Sequence, residues 1–152
     1  MKQGALKLRV IQSLSEVAEA DWNELLSPDA GPFLRYAFLY ALELTGCVGG
    51  NTGWQVAHLL AEDSQSRILG AMPLYLKQHS YGEFVFDWAW AQAYEQSGMP
   101  YYPKALSAIP FTPVRGPRLL VSSHADKGAI QEILVSGLMS LVTQNALSSA
   151  HV

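Results

Sequence analysis

Charged residues are scarce in this 152-residue chain. Asp, Glu, Lys and Arg make up 15% of it, well below the usual quarter, while 49% of the residues are hydrophobic. A single domain of this length can bury a sizeable core. The shortage of charge therefore predicts that some apolar surface is covered by a partner or by another part of the same protein.

Cysteine and long apolar runs are also lacking. Cys47 is the only cysteine, which excludes an internal disulfide framework and argues against a zinc site. The four histidines show no ligand spacing, so no metal is predicted. No stretch approaches the length of a transmembrane helix, and "MKQGALKLRV" lacks the apolar run of a secretory signal. A cytoplasmic location is expected.

Acidic residues are absent between Gln96 and Ala125, although the chain as a whole carries a net charge of −3. The charged residues of that stretch are Lys104, Arg115 and Arg118. The overall charge offers nothing for nucleic acid or an anionic membrane. A local positive field is nevertheless expected here.

Hydrophobic periodicity predicts an alternating order of strands and helices. Strands are predicted at residues 6–11, 54–61, 67–77, 83–90 and 105–112; helices are predicted from the capping-box pair Ser13 and Glu16 to residue 26, over residues 32–46, 91–98 and 126–145. The terminal "AHV" looks like the start of another strand. This order predicts an α/β (α+β) fold, with a mixed, mostly antiparallel sheet flanked by helices and incomplete at the C-terminus.

Several sequence words are specific enough to indicate a family. "FDWAW", "YYPK" and "PFTPVRGPRLL" follow one another in this order, preceded by "GPFLRYAFLYALE" and followed by "SSAHV". Together they resemble the FemAB-like family of predicted N-acyltransferases, which are labelled peptidoglycan biosynthesis or recognition proteins. The resemblance implies a GNAT-like fold and two such lobes in the complete protein. Residues 1–152 would be the N-terminal lobe, truncated before the second.

The resemblance also gives a role to the bend "PVRGPR". In GNAT-type enzymes a strand, a loop and a helix N-terminus hold the pyrophosphate of acyl-coenzyme A. The matching cofactor-binding residues here would be Thr112, Arg115, Gly116 and Arg118, with the helix beginning at about residue 126. An aminoacyl-tRNA would present phosphates to the same patch. The alternative is a proline-stiffened connector with exposed arginines.

A carboxylate and several aromatic residues complete the candidate site. Asp87 lies between aromatic residues, where burial would raise its pKa and make it a base for an amine nucleophile; the alternative is a turn-capping aspartate. Tyr101, Tyr102 and Lys104 would bind a substrate carboxylate or sugar, or would only cover a groove.

Three further aromatic residues, Trp88, Trp90 and Tyr94, would line an acyl or glycan cleft, or would belong to the core. Glu83 and Glu95 are predicted to be solvated.

The predicted function is transfer of an acyl or aminoacyl group to an amine, on a small molecule or a cell-wall precursor. Acyl-coenzyme A or aminoacyl-tRNA would serve as co-substrate, and no tightly bound cofactor is expected. The competing hypothesis is a non-catalytic module that binds a ligand, a second lobe or a second copy of itself. An open groove beside the bend favours the enzyme, whereas a groove filled by Trp88 or Phe111 favours the module.

Overall fold

The computed structural model describes residues 5–152, which form an α+β fold. The strands are β1 (Lys7–Ile11), β2 (Trp54–Val56), β3 (His58–Glu62), β4 (Ile68–Met72), β5 (Tyr75–Lys77), β6 (Lys104–Leu106), β7 (Leu120–Val121) and β8 (Ala150–His151). The helices are α1 (Glu19–Glu24), α2 (Tyr36–Leu44), α3 (Trp88–Gln96) and α4 (Lys127–Gln144).

The strands form two four-stranded sheets instead of the single sheet predicted. The first has the order β1-β3-β4-β7 and the second the order β2-β5-β6-β8. All pairs are antiparallel except β6 with β8, which are parallel. The predicted mixed, mostly antiparallel architecture is therefore confirmed. The two predicted long strands are each divided, one at Ala57 and the other at Pro73, where proline cannot donate to a ladder.

The N-terminal helix is shorter than predicted. The capping box is present, since Ser13 Oγ accepts from the backbone N–H of Ser15 and Glu16 Oε1 accepts from that of Ser13. It caps only a 3₁₀ turn over Leu14–Glu16, because Val17 adopts an extended conformation. Helix α1 then begins at Glu19.

Helix α4 matches the predicted amphipathic helix closely. Its buried residues Ile130, Leu134 and Leu138 pack with Leu59 and Met72 of the first sheet. This cluster and a second one around Trp22 and Leu60 cover the two faces of that sheet.

The segment "EFVFDWAW" does not form the predicted strand. Residues 83–87 are irregular, and α3 begins at Trp88. Strand β5 already pairs with β2 and β6, so its edges offer no position for another strand. The alternating alanines that follow are strong helix formers, which explains the helix.

Gly70 allows α4 to approach the first sheet closely. A Cβ at this position would lie 2.3 Å from Ile130 Cγ2 and 2.9 Å from the Leu120 carbonyl oxygen. Gly70→Ala is therefore expected to destabilise the fold by about 1–3 kcal/mol, since a backbone atom must shift. Urea denaturation measures this free energy of unfolding.

The matched control is Gly128→Ala in the first turn of α4. A Cβ there would meet only Asp126 Oδ1, at 3.5 Å. It should be neutral or stabilising, because alanine favours a helix over glycine. Equal effects of the two substitutions would contradict close packing at Gly70.

Candidate functional site

Two lysine side chains lie buried side by side in the second sheet. Lys77 on β5 pairs with Lys104 on β6 in the strand register, and both side chains are 0% exposed. Buried ammonium groups require anionic or polar partners, because desolvation strongly disfavours the charged form. The fold supplies these partners from the segment before α3.

Lys104 receives two carboxylates. Its Nζ donates to Glu83 Oε2 at 2.8 Å and to Asp87 Oδ2. Lys77 Nζ lies 3.9 Å from the other oxygen of Glu83, which accepts no hydrogen bond. Lys77, Glu83, Asp87 and Lys104 are called the buried charged cluster below.

Lys77 is held by groups that carry little charge. Its Nζ donates to the Tyr81 carbonyl oxygen at 3.0 Å and lies 3.7 Å from the centre of the Trp54 ring. Burial lowers the pKa of Lys77 to about 8; the charge of Glu83 opposes this shift and that of Lys104 adds to it. A minor fraction of Lys77 is therefore neutral near pH 7.

The pKa of Asp87 is lowered, although the aromatic residues beside it in the sequence predicted a raised value. Burial alone would raise this pKa, but hydrogen bonds from Lys104 and Tyr101, and the charge of Lys104, outweigh burial. Burial would likewise lower the pKa of Lys104, but hydrogen bonds to Asp87 and Glu83 raise it. Asp87 and Lys104 thus form an ion pair at neutral pH.

A hollow of about 250 Å³ opens beside this cluster and is called the bend hollow below. One side comes from Gly82, Glu83, Phe84, Val85 and Asp87; the other comes from Ile109, Thr112, Pro113, Val114 and Arg118, with Trp54 and His151 among the remaining residues. The Pro/Arg/Gly bend therefore borders an accessible concave surface. Neither Trp88 nor Phe111 lines it.

The bend is ordered by Arg118. Its guanidinium donates to the carbonyl oxygens of Val114 at 3.1 Å and of Gly116 and Pro117 at 3.3 Å each. Partial burial lowers the pKa of Arg118. Arg115 is exposed and lines a neighbouring hollow of about 200 Å³, which Arg118 also lines. Both basic residues therefore border concave surfaces.

Thr112 and Gly116, two of the predicted cofactor-binding residues, differ in their position relative to the bend hollow. Thr112 lines the bend hollow, and its hydroxyl donates to the Pro110 carbonyl oxygen at 3.1 Å. A Cβ at Gly116 would make only ordinary contacts, 3.5 Å or more from its neighbours, and this residue does not need a positive φ.

The bend does not lead directly into α4, which begins where the sequence predicted. Strand β7 intervenes, and α4 is capped by Asp126, whose Oδ1 accepts from the backbone N–H of Ala129 at 3.1 Å. The start of α4 borders a different hollow, which Leu119, Ser122 and Lys127 help to line. The arginines and the helix N-terminus therefore border separate hollows.

The expected substrate-binding aromatics lie away from the bend hollow. Tyr101 is buried against Tyr94 and Tyr102, and its phenol hydrogen-bonds to Asp87. Tyr102 is partly buried, with Lys104 Nζ 5.9 Å from its ring centre. These positions fit a role in orienting the cluster. Lys104, being fully buried, neutralises carboxylates instead of facing a ligand.

The two tryptophans that were predicted to line a cleft both lie on α3. Trp88 and Trp90 are exposed and belong neither to the core nor to the bend hollow. The ring of Trp88 stacks on that of Phe86 at 4.9 Å.

Three residues of the site were not singled out by sequence reasoning: Lys77, Glu83 and His151. Glu83, predicted to be solvated, has a side chain only 10% exposed because it binds Lys104. Lys77 was assigned correctly to a strand end, but its pairing with Lys104 depends on a register that no single segment reveals. His151 lines the bend hollow from β8 and its Nε2 lies 3.0 Å from Ser149 Oγ.

The fold and site define an α+β protein in which a buried lysine–carboxylate cluster adjoins a hollow that Arg118 lines. The model of the FemAB-like family, described as peptidoglycan biosynthesis/recognition, matches residues 13–152. The chain belongs to this family, which confirms the resemblance drawn from its motifs. No curated protein and no solved structure matches the chain. In residues 5–152 no helix is both long and apolar enough to cross a bilayer.

Proposed function

We propose that the chain is one lobe of an N-acyltransferase that transfers an acyl or aminoacyl group to an amine on a cell-wall precursor. The observation that carries this proposal is the bend hollow, which has carboxylates on one side and a basic, proline-stiffened bend on the other. Such a surface can bring an ammonium group and an anionic donor together. Membership of a peptidoglycan-related family supports a precursor as the acceptor.

Each side of the hollow has a proposed role. Arg118, together with Arg115 from the neighbouring hollow, supplies positive charge to the phosphates of an acyl-coenzyme A or aminoacyl-tRNA donor. Thr112 contributes a hydroxyl at the same side. Asp87, ionised at neutral pH, orients the acceptor amine, and Tyr101 and Tyr102 hold the carboxylate–lysine network behind it.

The chemistry needs no protein nucleophile. The amine nitrogen attacks the acyl carbon, a C–N bond forms, and the bond from that carbon to the donor sulfur or oxygen breaks. Asp87 takes the proton that the nitrogen loses, and the leaving thiolate or alkoxide recovers a proton from it. The reaction would take place in the cytoplasm, where the exposed thiol of Cys47 stays reduced.

A ligand-binding screen tests the anionic half of this proposal. Acyl-coenzyme A species and cell-wall nucleotides are added to the chain in a thermal-shift assay, and the hits are titrated by calorimetry. Arg118→Ala should weaken binding about tenfold or more, since a charge-assisted hydrogen bond contributes roughly 1.5–3 kcal/mol. The control is Arg67→Ala, which removes an exposed guanidinium of the β3–β4 turn. Unchanged affinity of the Arg118 variant would remove that residue from the site.

A non-catalytic binding module is the second candidate. The observation that favours it is the ion pair with Lys104, which weakens Asp87 as a base. A transfer assay by mass spectrometry separates the two candidates. Binding with no acyl transfer would favour the module, whereas transfer that is lost in Asp87→Asn with binding retained would support the enzyme.

A further inference from the structure

A histidine on strand β8 borders the bend hollow. His151 lines this hollow and is partly exposed, and its carbonyl oxygen accepts from the backbone N–H of Ser107 at 2.8 Å. Its position is set by the parallel β6–β8 ladder, in which it pairs with Leu106. The second sheet therefore brings an imidazole to the same concave surface as Asp87 and Arg118.

Of residues 5–152, four with titratable side chains line the bend hollow: Glu83, Asp87, Arg118 and His151. Both carboxylates are bound by Lys104, and a guanidinium in a protein stays protonated. In the described part of the chain His151 makes no ion pair. Imidazole is also the side chain that exchanges a proton most readily near neutral pH. His151 is therefore the residue of the hollow best suited to accept a proton.

A chain of hydrogen bonds determines which ring nitrogen of His151 is free. Ser148 Oγ donates to the carbonyl oxygen of Tyr101, which can only accept. Because a hydroxyl has one proton, Ser148 must accept from Ser149 Oγ at 3.3 Å, and Ser149 must accept from His151 Nε2–H at 3.0 Å. The neutral ring thus carries its proton on Nε2. The lone pair of Nδ1 has no hydrogen-bond partner among residues 5–152.

Asp87 lies close enough for its charge and that of His151 to interact. Burial raises the pKa of Asp87, but hydrogen bonds and nearby charges outweigh burial, and the charge of His151 is one of them. The same attraction stabilises the imidazolium that forms when His151 takes a proton. The other charged groups at the hollow are Glu83 and Arg118, with Lys104 buried behind the carboxylates.

The proposed transfer has one proton for which no acceptor has been assigned. An aliphatic amine of the lysine type is almost fully protonated at pH 7, so it enters the hollow as an ammonium ion. An ammonium nitrogen has no lone pair with which to attack an acyl carbon. It must lose one proton before the attack and a second as the C–N bond forms, and Asp87 takes only the second.

We propose that His151 Nδ1 accepts the proton that a bound ammonium group loses before attack, so that the hollow takes a basic aliphatic amine as acceptor. The N–H bond breaks, its electron pair stays on the amine nitrogen, and the proton bonds to Nδ1. The imidazolium, stabilised by Asp87, then releases this proton to solvent through the open hollow. Proton acceptance rests on the proposed function, whereas the tautomer and the contact of Nδ1 with an ammonium group do not.

Nitrogen NMR tests the free lone pair without any transfer reaction. Long-range ¹H–¹⁵N spectra of the labelled 152-residue chain, at a pH where the rings are neutral, should show His151 protonated on Nε2 and not on Nδ1; His151→Gln assigns its signals. Nα-acetyl-lysine amide, used as the ammonium probe, should shift the Nδ1 signal. The same probe with a trimethylated amine, which has no N–H to donate, should shift it much less. A protonated Nδ1, or equal responses to the two probes, would overturn the proposal.

A transfer assay tests proton acceptance itself. With acetyl-coenzyme A and Nα-acetyl-lysine amide, His151→Gln should lower kcat/KM about 100-fold at pH 7, as expected for loss of a general base. This deficit should shrink as the pH rises towards the pKa of the amine, because a growing share of the amine is then neutral and needs no base. The matched control is His124→Gln, in an exposed loop, which should behave as the original chain does at every pH.

The outcomes separate this inference from the proposed function. Transfer that His151→Gln leaves unchanged, or lowers equally at every pH, would overturn proton acceptance by His151 while acyl transfer stands. Absence of transfer by the original chain would overturn the proposed function and the base together, and the NMR titration would still decide the ammonium contact. Circular dichroism verifies that each variant folds, and His151→Asn takes the place of His151→Gln if that variant does not.

Discussion

Lys104→Met is expected to reduce the free energy of unfolding by about 3–5 kcal/mol at pH 7. This is the usual cost of removing one partner of a buried ion pair and leaving the other partner charged. The ammonium of Lys104 donates to both Glu83 and Asp87. Methionine fills a similar volume but leaves two carboxylates with only Lys77 nearby, 3.9 Å from Glu83. Urea denaturation monitored by circular dichroism measures the loss.

The pH dependence of this loss identifies its cause. In the variant the buried carboxylates should have pKa values above those in the unfolded chain, so their protonation stabilises the folded state as the pH falls. The deficit should therefore shrink between pH 7 and pH 4. Adding Glu83→Gln and Asp87→Asn to Lys104→Met should recover part of it at pH 7.

The control for Lys104 is Lys127→Met, at the exposed start of α4. Its effect should stay within about 0.5 kcal/mol, as for most surface substitutions. A loss below about 1 kcal/mol in Lys104→Met, or a loss that does not change with pH, would contradict the role of Lys104 in neutralising the cluster.

Acidification is expected to cost the fold ~3 kcal/mol between pH 6.5 and pH 4 through His58 alone. This imidazole is fully buried, with Trp22 and Tyr75 beside it, and its Nδ1 accepts from the backbone N–H of Leu74 at 2.9 Å. Burial lowers its pKa to about 4, and the Leu74 carbonyl oxygen, 3.1 Å from Nδ1, opposes the shift only partly. The folded state therefore resists protonation that the unfolded state accepts.

The sign of this effect follows from the lowered pKa. The stability that neutral His58 contributes is complete above the unfolded value near 6.5 and falls as the pH decreases towards 4. Chemical denaturation at half-unit steps of pH measures the slope. Carboxylates elsewhere in the chain add to this acid-induced loss of stability only as the pH approaches their own pKa values.

Two variants isolate the contribution of His58. His58→Asn keeps an acceptor near the Leu74 N–H but cannot titrate, so it should be less stable at pH 7 and show a smaller slope between pH 6.5 and pH 4.5. His124→Gln changes a loop histidine outside the core and should keep the original slope. Identical slopes in all three proteins would rule out a neutral buried His58.

Local sequence patterns were sufficient to predict the elements whose side chains pack against a single neighbouring element. The 3.6-residue period of Ile130, Leu134 and Leu138 predicted α4 almost to its ends, because one apolar stripe packs on one sheet. The bend beside a hollow was likewise suggested by the absence of acids around Arg115 and Arg118. The segment "EFVFDWAW" was wrongly predicted to be a strand, because its two carboxylates, and not its aromatic rings, face inward.

The charged cluster could not be predicted because it depends on several segments at once. Lys77 and Lys104 become neighbours only through the register of β5 and β6, and Glu83 reaches them from an irregular segment. An isolated Glu in a sequence is usually solvated, so nothing local marked Glu83. The same cause reversed the expected direction of the Asp87 pKa shift, which depends on a lysine 17 positions away.

The placement of a ligand in the bend hollow is tested most directly by chemical-shift mapping of the backbone amides during titration with coenzyme A. If this hollow is the anionic site, the largest changes should fall in residues 82–87 and 109–118. Changes concentrated in residues 119–127 and 24–28, around the start of α4, would place the ligand in the other hollow. That result would contradict an anionic site between the Pro/Arg/Gly bend and the buried charged cluster.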